Sequence, residues 1–69
     1  MKRRSVITKI KREAERRELP FELFELKRHT AIRVGTTTRT LGRHNEIDDV
    51  TARKFFDQFA CEFGKGWWR

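Results

Sequence analysis

Apolar residues recur with a helical period near the start of the chain. The apolar positions of this segment share one side of a 3.6-residue repeat, and Lys and Arg occupy most of the others: Val6, Ile7, Ile10 and Ala14. Ser5 is suited to be an N-cap residue. Pro20 disfavours a helical conformation at Leu19, so the helix should end close to that point. The pattern predicts a basic amphipathic helix over residues 5–18.

Three short segments with strand-like patterns follow. Residues 21–26 are rich in apolar side chains that fall on both faces of a strand, so we expect a β-bulge or burial on both faces. Residues 29–34 alternate more cleanly. Gly35 supplies a turn, and residues 36–41, rich in threonine, predict the returning strand. Gly42 is expected to end it.

The last regular element is the clearest. Asp48 or Asp49 is suited to cap a helix, and Gly64 stands where a left-handed C-terminal residue belongs. Between them, apolar residues repeat at helical spacing: Ala52, Phe56, Phe59, Ala60 and Phe63. The order α-β-β-β-α predicts an α+β fold in which two helices cover one face of a three-stranded antiparallel sheet. We expect one domain over residues 1–64 and an exposed tail over 65–69.

The positive charge is concentrated in two blocks. The net charge is +7; residues 1–17 contain eight basic and two acidic side chains, and residues 27–43 contain five Lys or Arg and no acid. If folding brings the blocks together, they form a positive face that attracts polyphosphates and releases their counterions. A solvated basic surface without a ligand is the alternative. The acid-free block favours nucleic-acid binding.

Size and composition exclude several classes of protein. A chain of 69 residues is near the lower limit for an independent domain, and a cavity for a large cofactor would consume its core. Cys61 is the only cysteine, so no internal disulfide forms. No apolar run resembles the core of a signal peptide or approaches the ~20 residues that span a bilayer. We therefore expect a cytoplasmic protein with no cofactor and no membrane association.

Two histidines are the candidates for chemistry, because the residue patterns of metal sites, Ser-His-Asp triads and phosphate-binding loops are missing. RNA is a substrate that brings its own nucleophile: its 2′-OH attacks the adjacent phosphorus once a base removes the proton and cations offset the developing charge. His29 follows Lys27 and Arg28 at the opening of a strand and is the candidate base. Arginines match phosphate oxygens with a planar fork, and we expect phosphate contacts from these cations: Lys27, Arg28, Arg33, Arg39 and Arg43.

Other aromatic and polar residues allow more than one interpretation. His44, in the loop before the last helix, can contact a phosphate or hydrogen-bond a loop carbonyl. The phenylalanines of that helix are expected in the core. Trp67 and Trp68 can fold back on the helices, stack on bases or dock on a protein partner.

Three stretches of the chain resemble the HicA family of toxin endoribonucleases. Residues 27–34 are similar to the family's histidine-bearing strand, residues 43–54 to its loop and second helix, and residues 2–7 to its usual start. The resemblance implies a double-stranded-RNA-binding-domain-like fold and an endoribonuclease that cleaves mRNA without the ribosome. It also implies inhibition by a HicB-type antitoxin, and a catalytic role for His29.

Three functions remain open from the sequence. The first is a metal-independent mRNA interferase in which His29 acts as general base or acid. The second is a non-catalytic nucleic-acid-binding protein that uses the same face. The third is a protein that binds a partner through the phenylalanine-rich helix together with Trp67 and Trp68.

Overall fold

A computed structural model describes all 69 residues of the chain. The elements are, in order, α1 (Arg3–Arg16), β1 (Phe21–Glu25), β2 (His29–Val34), β3 (Thr37–Gly42), α2 (Asp49–Asp57) and the short α3 (Ala60–Phe63). The strands form one antiparallel sheet in the order β1-β2-β3. The predicted α+β class and the order α-β-β-β-α are therefore confirmed. No helix of the chain has the length and apolar character needed to cross a bilayer.

The helices pack on one face of the sheet and form a single core with it. Ile32 and Val34 of β2 are fully buried and project toward α1 and α2. The remaining buried apolar side chains of this cluster come from β3, both long helices and the segments around them: Val6, Ile10, Ala14, Leu41, Ile47, Ala52, Phe55, Phe56, Phe59 and Phe63. The phenylalanines of the last helical region thus belong to the core, as the sequence predicts. The opposite face of the sheet carries no helix.

α1 begins earlier than its sequence pattern predicts. Lys2 is the N-cap residue and makes no side-chain capping hydrogen bond, so the prediction that Ser5 caps the helix is wrong. The start of the helix is held instead by the loop before α2. Lys2 forms an isolated bridge with Glu46, and the Arg3 backbone N–H donates to the Asn45 carbonyl at 2.9 Å. A tertiary contact takes the place of a local cap.

The end of α1 places a non-glycine residue in the left-handed region. Glu18 has φ 57°. Its N–H donates to the Glu15 carbonyl at 3.1 Å, and the Leu19 N–H donates to the Ala14 carbonyl at 2.9 Å. These are the two bonds of a Schellman motif, which usually employs glycine at the position that Glu18 occupies.

β1 is a regular edge strand without a bulge. Its five residues pair with β2 in one uninterrupted register, from Phe21 opposite Val34 to Glu25 opposite Thr30. Leu23 and Phe24, which point to opposite faces, are both exposed, whereas Phe21 is half-buried against the core. The expectation of a bulge or two-sided burial is therefore wrong, because this strand has no neighbour along one edge and carries exposed apolar residues.

The β2–β3 hairpin fixes the register of the third strand. Gly35 has φ 58° and, with Thr36, forms a two-residue turn between the paired residues Val34 and Thr37. A glycine with positive φ at the first central position is typical of a hairpin turn. β3 continues through Gly42, which the sequence pattern had assigned as the end of the strand.

The last helical region is broken in the middle, and the chain after it folds back. After α2 ends, the N–H groups of Gln58 and Phe59 donate three residues back, to Phe55 and Phe56. The Phe56 carbonyl also accepts the Trp67 indole N–H at 2.8 Å. Both tryptophans are half-buried against the core. This differs from the exposed tail expected over residues 65–69, because the indole rings cover the phenylalanine cluster.

Candidate nucleic-acid interface

The face of the sheet without helices is the candidate interface, and we call it the open face. Strand register assigns its side chains, because residues directly opposite each other point the same way and alternate residues point oppositely. Its members are Glu22, Phe24, His29, Ala31, Arg33, Thr38, Thr40 and Gly42. All except Ala31 and Gly42 are exposed to solvent.

His29 lies at one end of the open face. It is the first residue of β2 and pairs with Gly42 of β3. The turn before it consists of Lys27 and Arg28, which are exposed and form no ion pair. The imidazole makes no hydrogen bond within the protein, whereas the backbone carbonyl accepts the Leu26 N–H at 2.8 Å. The turn thus holds the backbone of His29 and leaves its ring free in solvent.

Arg43, the residue after β3, holds this turn in place. Its guanidinium donates to the Leu26 carbonyl, and its Nη2 lies 3.4 Å from the His29 carbonyl oxygen. It also lies 3.3 Å from Glu25 Oε1. Because its donors and charge are partly committed to the protein, Arg43 is better placed to position the turn than to hold a phosphate alone.

A second set of polar groups supports the β1–β2 hairpin from the helix side, and the sequence pattern did not predict it. Arg3 at the start of α1 donates to the Thr30 hydroxyl and, through Nε, to the Gly42 carbonyl at 3.2 Å. The Thr30 hydroxyl donates to Glu25 Oε1 at 2.6 Å. We call Arg3, Thr30, Glu25 and Arg43 the hairpin clamp. One feature of the sequence could have predicted this cluster: Thr30 is a polar residue at a core-facing position of β2, where it needs a hydrogen-bond partner.

The structure separates two arginines that the sequence analysis grouped. Arg33 is on the open face, where Nη1 lies 4.0 Å from Glu22 Oε1 and Nε donates to the Gly35 carbonyl at 3.3 Å. Arg39 pairs with Ile32 and therefore lies on the face that the helices cover, although its side chain is exposed. Arg39 and His29 therefore lie on opposite faces of the sheet, and a phosphate contact by Arg39 stays a prediction.

His44 lies close to the open-face end that carries His29. Its Cδ2 is 3.8 Å from the point where a Cβ would stand on Gly42. Directly opposite residues have Cβ atoms about 4.5–5.5 Å apart. His29 Cβ and His44 Cδ2 therefore lie within about 9 Å of each other. Gly42, which has no side chain, is thus a neighbour of both histidines.

The two basic blocks of the sequence meet at this end of the sheet. Arg3 links the start of α1 to β2 and β3, and it borders an open concavity of about 580 Å³ that has no hydrophobic lining residue. The concavity is lined by Lys2, Arg3, Arg4, Ser5 and Asn45. Lys2 is paired with Glu46 at 3.4 Å, whereas Arg4 forms no ion pair. Arg3 thus connects the first basic block to the two strands that carry the second block.

Carboxyl groups with lowered pKa values lie outside the open face. A hydrogen bond from the Thr51 hydroxyl lowers the pKa of Asp48, and one from the Thr37 hydroxyl lowers the pKa of Glu62. Both serve as acceptors that fix local structure. No group of three or more His, Cys, Asp or Glu side chains is arranged to hold a metal ion.

The candidate interface therefore consists of an exposed imidazole at the end of an uncovered sheet face, next to a basic turn, with a second histidine close to Gly42. Comparison of the chain with protein-family models, curated proteins and solved structures gives no match.

Proposed function

We propose that this protein is a HicA-like mRNA interferase with a double-stranded-RNA-binding-domain-like fold. It acts in the cytoplasm as the toxin of a toxin–antitoxin pair and is inhibited by a HicB-type antitoxin. The observation that carries the proposal is the position of His29, whose free imidazole stands on the open face next to the unpaired cations Lys27 and Arg28. This is the arrangement that RNA cleavage by its own 2′-OH requires.

In the proposed reaction, His29 accepts the proton of a ribose 2′-OH as that oxygen attacks the adjacent phosphorus. The bond from phosphorus to the 5′ oxygen of the next nucleotide breaks, and that oxygen takes up a proton. His44, the other histidine of the chain, lies beside Gly42 and can supply it. The products are a 2′,3′-cyclic phosphate and a free 5′-OH end, and Lys27 and Arg28 offset the charge of the phosphorane.

Arg33 serves a different phosphate from the one at His29. The two residues are four positions apart on β2, which corresponds to about 13 Å along a strand. A substrate that contacts both must therefore run along the open face for more than one nucleotide. Arg39 is not assigned to this contact because it lies on the other face.

The alternative function is nucleic-acid binding without cleavage. The observation that favours it is the absence of a hydrogen-bond partner for the His29 ring, since catalytic histidines are commonly oriented by a carboxylate or carbonyl. Binding through the same face would need only the cations.

Cleavage of a labelled RNA by the purified protein tests the proposal. We expect cleavage in the presence of EDTA, products with free 5′-OH ends, and no cleavage when a deoxyribonucleotide replaces the ribose at the cut site. His29→Ala should abolish cleavage without weakening binding to a comparable degree. Cleavage that EDTA prevents, or that persists in His29→Ala, would show that the proposed mechanism is wrong.

A matched pair of arginine variants tests the binding face. Arg33→Ala and Arg39→Ala remove the same exposed side chain from opposite faces of one sheet. Loss of one phosphate contact should weaken binding and reduce the slope of log affinity against log salt by about 0.7 for a single strand. We expect this from Arg33→Ala only; equal effects of the two variants would contradict the assignment. Salt-dependent binding without any cleavage would establish the alternative function.

A further inference from the structure

The open face carries an exposed aromatic ring that neither the proposed chemistry nor the core uses. Phe24 is 41% exposed, and Leu26, which follows β1 on the same side, is 47% exposed. Phe24 lies in the strand at the edge of the sheet and Leu26 directly after it, and no helix covers them. Large exposed apolar side chains that stand together on one surface are typical of contact sites rather than of ordinary solvated surface.

The residues directly across the sheet from Phe24 are small. It pairs with Ala31, which pairs in turn with Thr40. Ala31 is only 5% exposed although no helix covers it, so neighbouring side chains of the open face lie over its methyl group. Phe24 itself is 41% exposed, and this exposed part is available to a planar partner.

The charges around the ring distinguish between possible partners. The diagonal neighbours of Phe24 on β2 are His29 and Arg33, at about 7–8 Å. The one acidic member of the open face is Glu22, which is already 4.0 Å from Arg33. A second copy of this chain docked face to face would bring like charges together. A polyanion with planar groups complements both the cations and the ring.

We infer that the open face binds single-stranded RNA, with one unpaired base stacked on Phe24. The inference rests on the proposed function and adds the strandedness of the substrate to it. In a duplex the faces of the bases are covered by stacking and their edges are held by pairing, whereas an unpaired base can turn out onto an aromatic side chain. The likeness in element order to double-stranded-RNA-binding domains does not decide this point, because those domains contact the backbone across grooves.

Stacking at Phe24 also orders the substrate for cleavage. His29 lies one diagonal step from Phe24 across the sheet, so we expect the ribose of a base stacked on the ring to lie next to the imidazole. The next phosphate can then approach the turn of Lys27 and Arg28, while Arg33 contacts the chain in the other direction. Phe24 is therefore a positioning residue that sets which phosphodiester reaches the imidazole.

The test is the affinity of the full chain for a fluorescently labelled RNA, measured as a single strand and as the same strand in a duplex. Alanine substitution of a stacked aromatic residue costs about 1–3 kcal/mol per base, which is a factor of about 5 to 150. We expect Phe24→Leu, which keeps an apolar side chain but removes the ring, to weaken single-strand binding within that range. Phe24→Tyr should retain the affinity.

Leu23→Ala is the matched control. Leu23 precedes Phe24 in the same strand, has a similar exposed fraction of 44%, and points to the opposite face. Its truncation should leave the affinity for RNA unchanged. A 2-aminopurine base in the RNA should be quenched by the wild type and by Leu23→Ala, and not by Phe24→Leu; circular dichroism checks that each variant is folded.

Two results overturn the inference while the proposed function stands: unchanged single-strand affinity in Phe24→Leu, or duplex binding as tight as single-strand binding, each with Arg33→Ala still weakening the complex. Dimerisation of the free protein that Phe24→Leu abolishes also overturns it, because a second copy would then be the occupant. Failure of the wild type to bind any RNA overturns the proposed function itself.

Discussion

The hairpin clamp can be tested by replacing a buried hydroxyl with a methyl group. Thr30 is fully buried in β2, and its hydroxyl accepts from Arg3 and donates to Glu25 Oε1 at 2.6 Å. Thr30→Val keeps the β-branched shape and removes both hydrogen bonds. The variant therefore isolates the polar connection between α1 and the turn that carries His29.

The expected loss of stability depends on the interactions that Arg3 and Glu25 keep after the Thr30 hydroxyl is removed. A hydrogen bond to a charged group contributes about 1.5–3 kcal/mol. Arg3 keeps its bond to the Gly42 carbonyl, and Glu25 is largely exposed and keeps Arg43 at 3.3 Å, so water restores part of the lost interaction. We expect the free energy of unfolding to fall by about 1–2 kcal/mol. For a domain of this size the melting temperature should fall by about 5–15 °C.

Urea unfolding followed by tryptophan fluorescence measures this difference. Thr40→Val is the matched control, because Thr40 is an exposed threonine of the same sheet and makes no side-chain hydrogen bond. It should leave the midpoint unchanged. If Thr30→Val is as stable as the wild type, or if Thr40→Val loses as much, the hydroxyl does not hold the hairpin. RNA cleavage should decrease in Thr30→Val at temperatures where the variant is still folded.

Three further substitutions test other parts of the fold. Trp67→Phe removes the indole donor from the Phe56 carbonyl and should lower the free energy of unfolding by about 1–2 kcal/mol in the same urea assay; an unchanged midpoint would contradict this contact. Glu18→Gly removes the strain of a non-glycine residue in the left-handed region. The free energy of unfolding should rise by about 0.5–1 kcal/mol after the greater chain entropy of glycine is subtracted, and the melting temperature should rise with it. A lower melting temperature would contradict the argument. The hydrogen bond from the Thr51 hydroxyl lowers the pKa of Asp48 in the folded state. The ionised Asp48 carboxylate therefore stabilises the fold above its unfolded-state pKa, and this stabilisation is lost as the pH falls through its folded-state pKa. Stability should therefore decline below about pH 4, and less steeply in Asp48→Asn, whose side chain still accepts the capping bond; equal slopes would refute this assignment.

The local patterns of the sequence predict most of the architecture. The apolar period of α1, the alternation of β2 and the phenylalanine spacing after Asp48 each reflect a face that packs on one core, so periodicity suffices to find them. The boundaries of α1 and α2 do not follow from periodicity. Asn45 holds the start of α1, and the break after α2 leaves the Phe56 carbonyl to a distant indole.

The candidate site depends on register, and register can be derived only in part. A two-residue turn at Gly35 and Thr36 pairs Ile32 with Arg39 and so assigns this arginine to the covered face. A two-residue turn is therefore enough to predict the face on which Arg39 lies, because strand residues alternate with a period of two. The link from Arg3 to Thr30 spans 27 positions of the chain and has no local signal.

In the proposed site, the hairpin clamp positions the turn and the exposed cations at its tip attract the substrate. Arg43 pairs with Glu25 and donates to a backbone carbonyl, and Arg3 donates to the Thr30 hydroxyl and to the Gly42 carbonyl, so these side chains hold the turn in place. Lys27 and Arg28, at the tip of the same turn, have no partner in the protein and retain their full attraction for phosphate. Long cationic side chains alone do not fix the position of a bound substrate. The clamp holds the turn before His29 in one place, so that one phosphodiester can be brought to the imidazole. Variants of the clamp should therefore change the rate of cleavage more than the affinity, whereas variants of the turn tip should change the affinity and its dependence on salt.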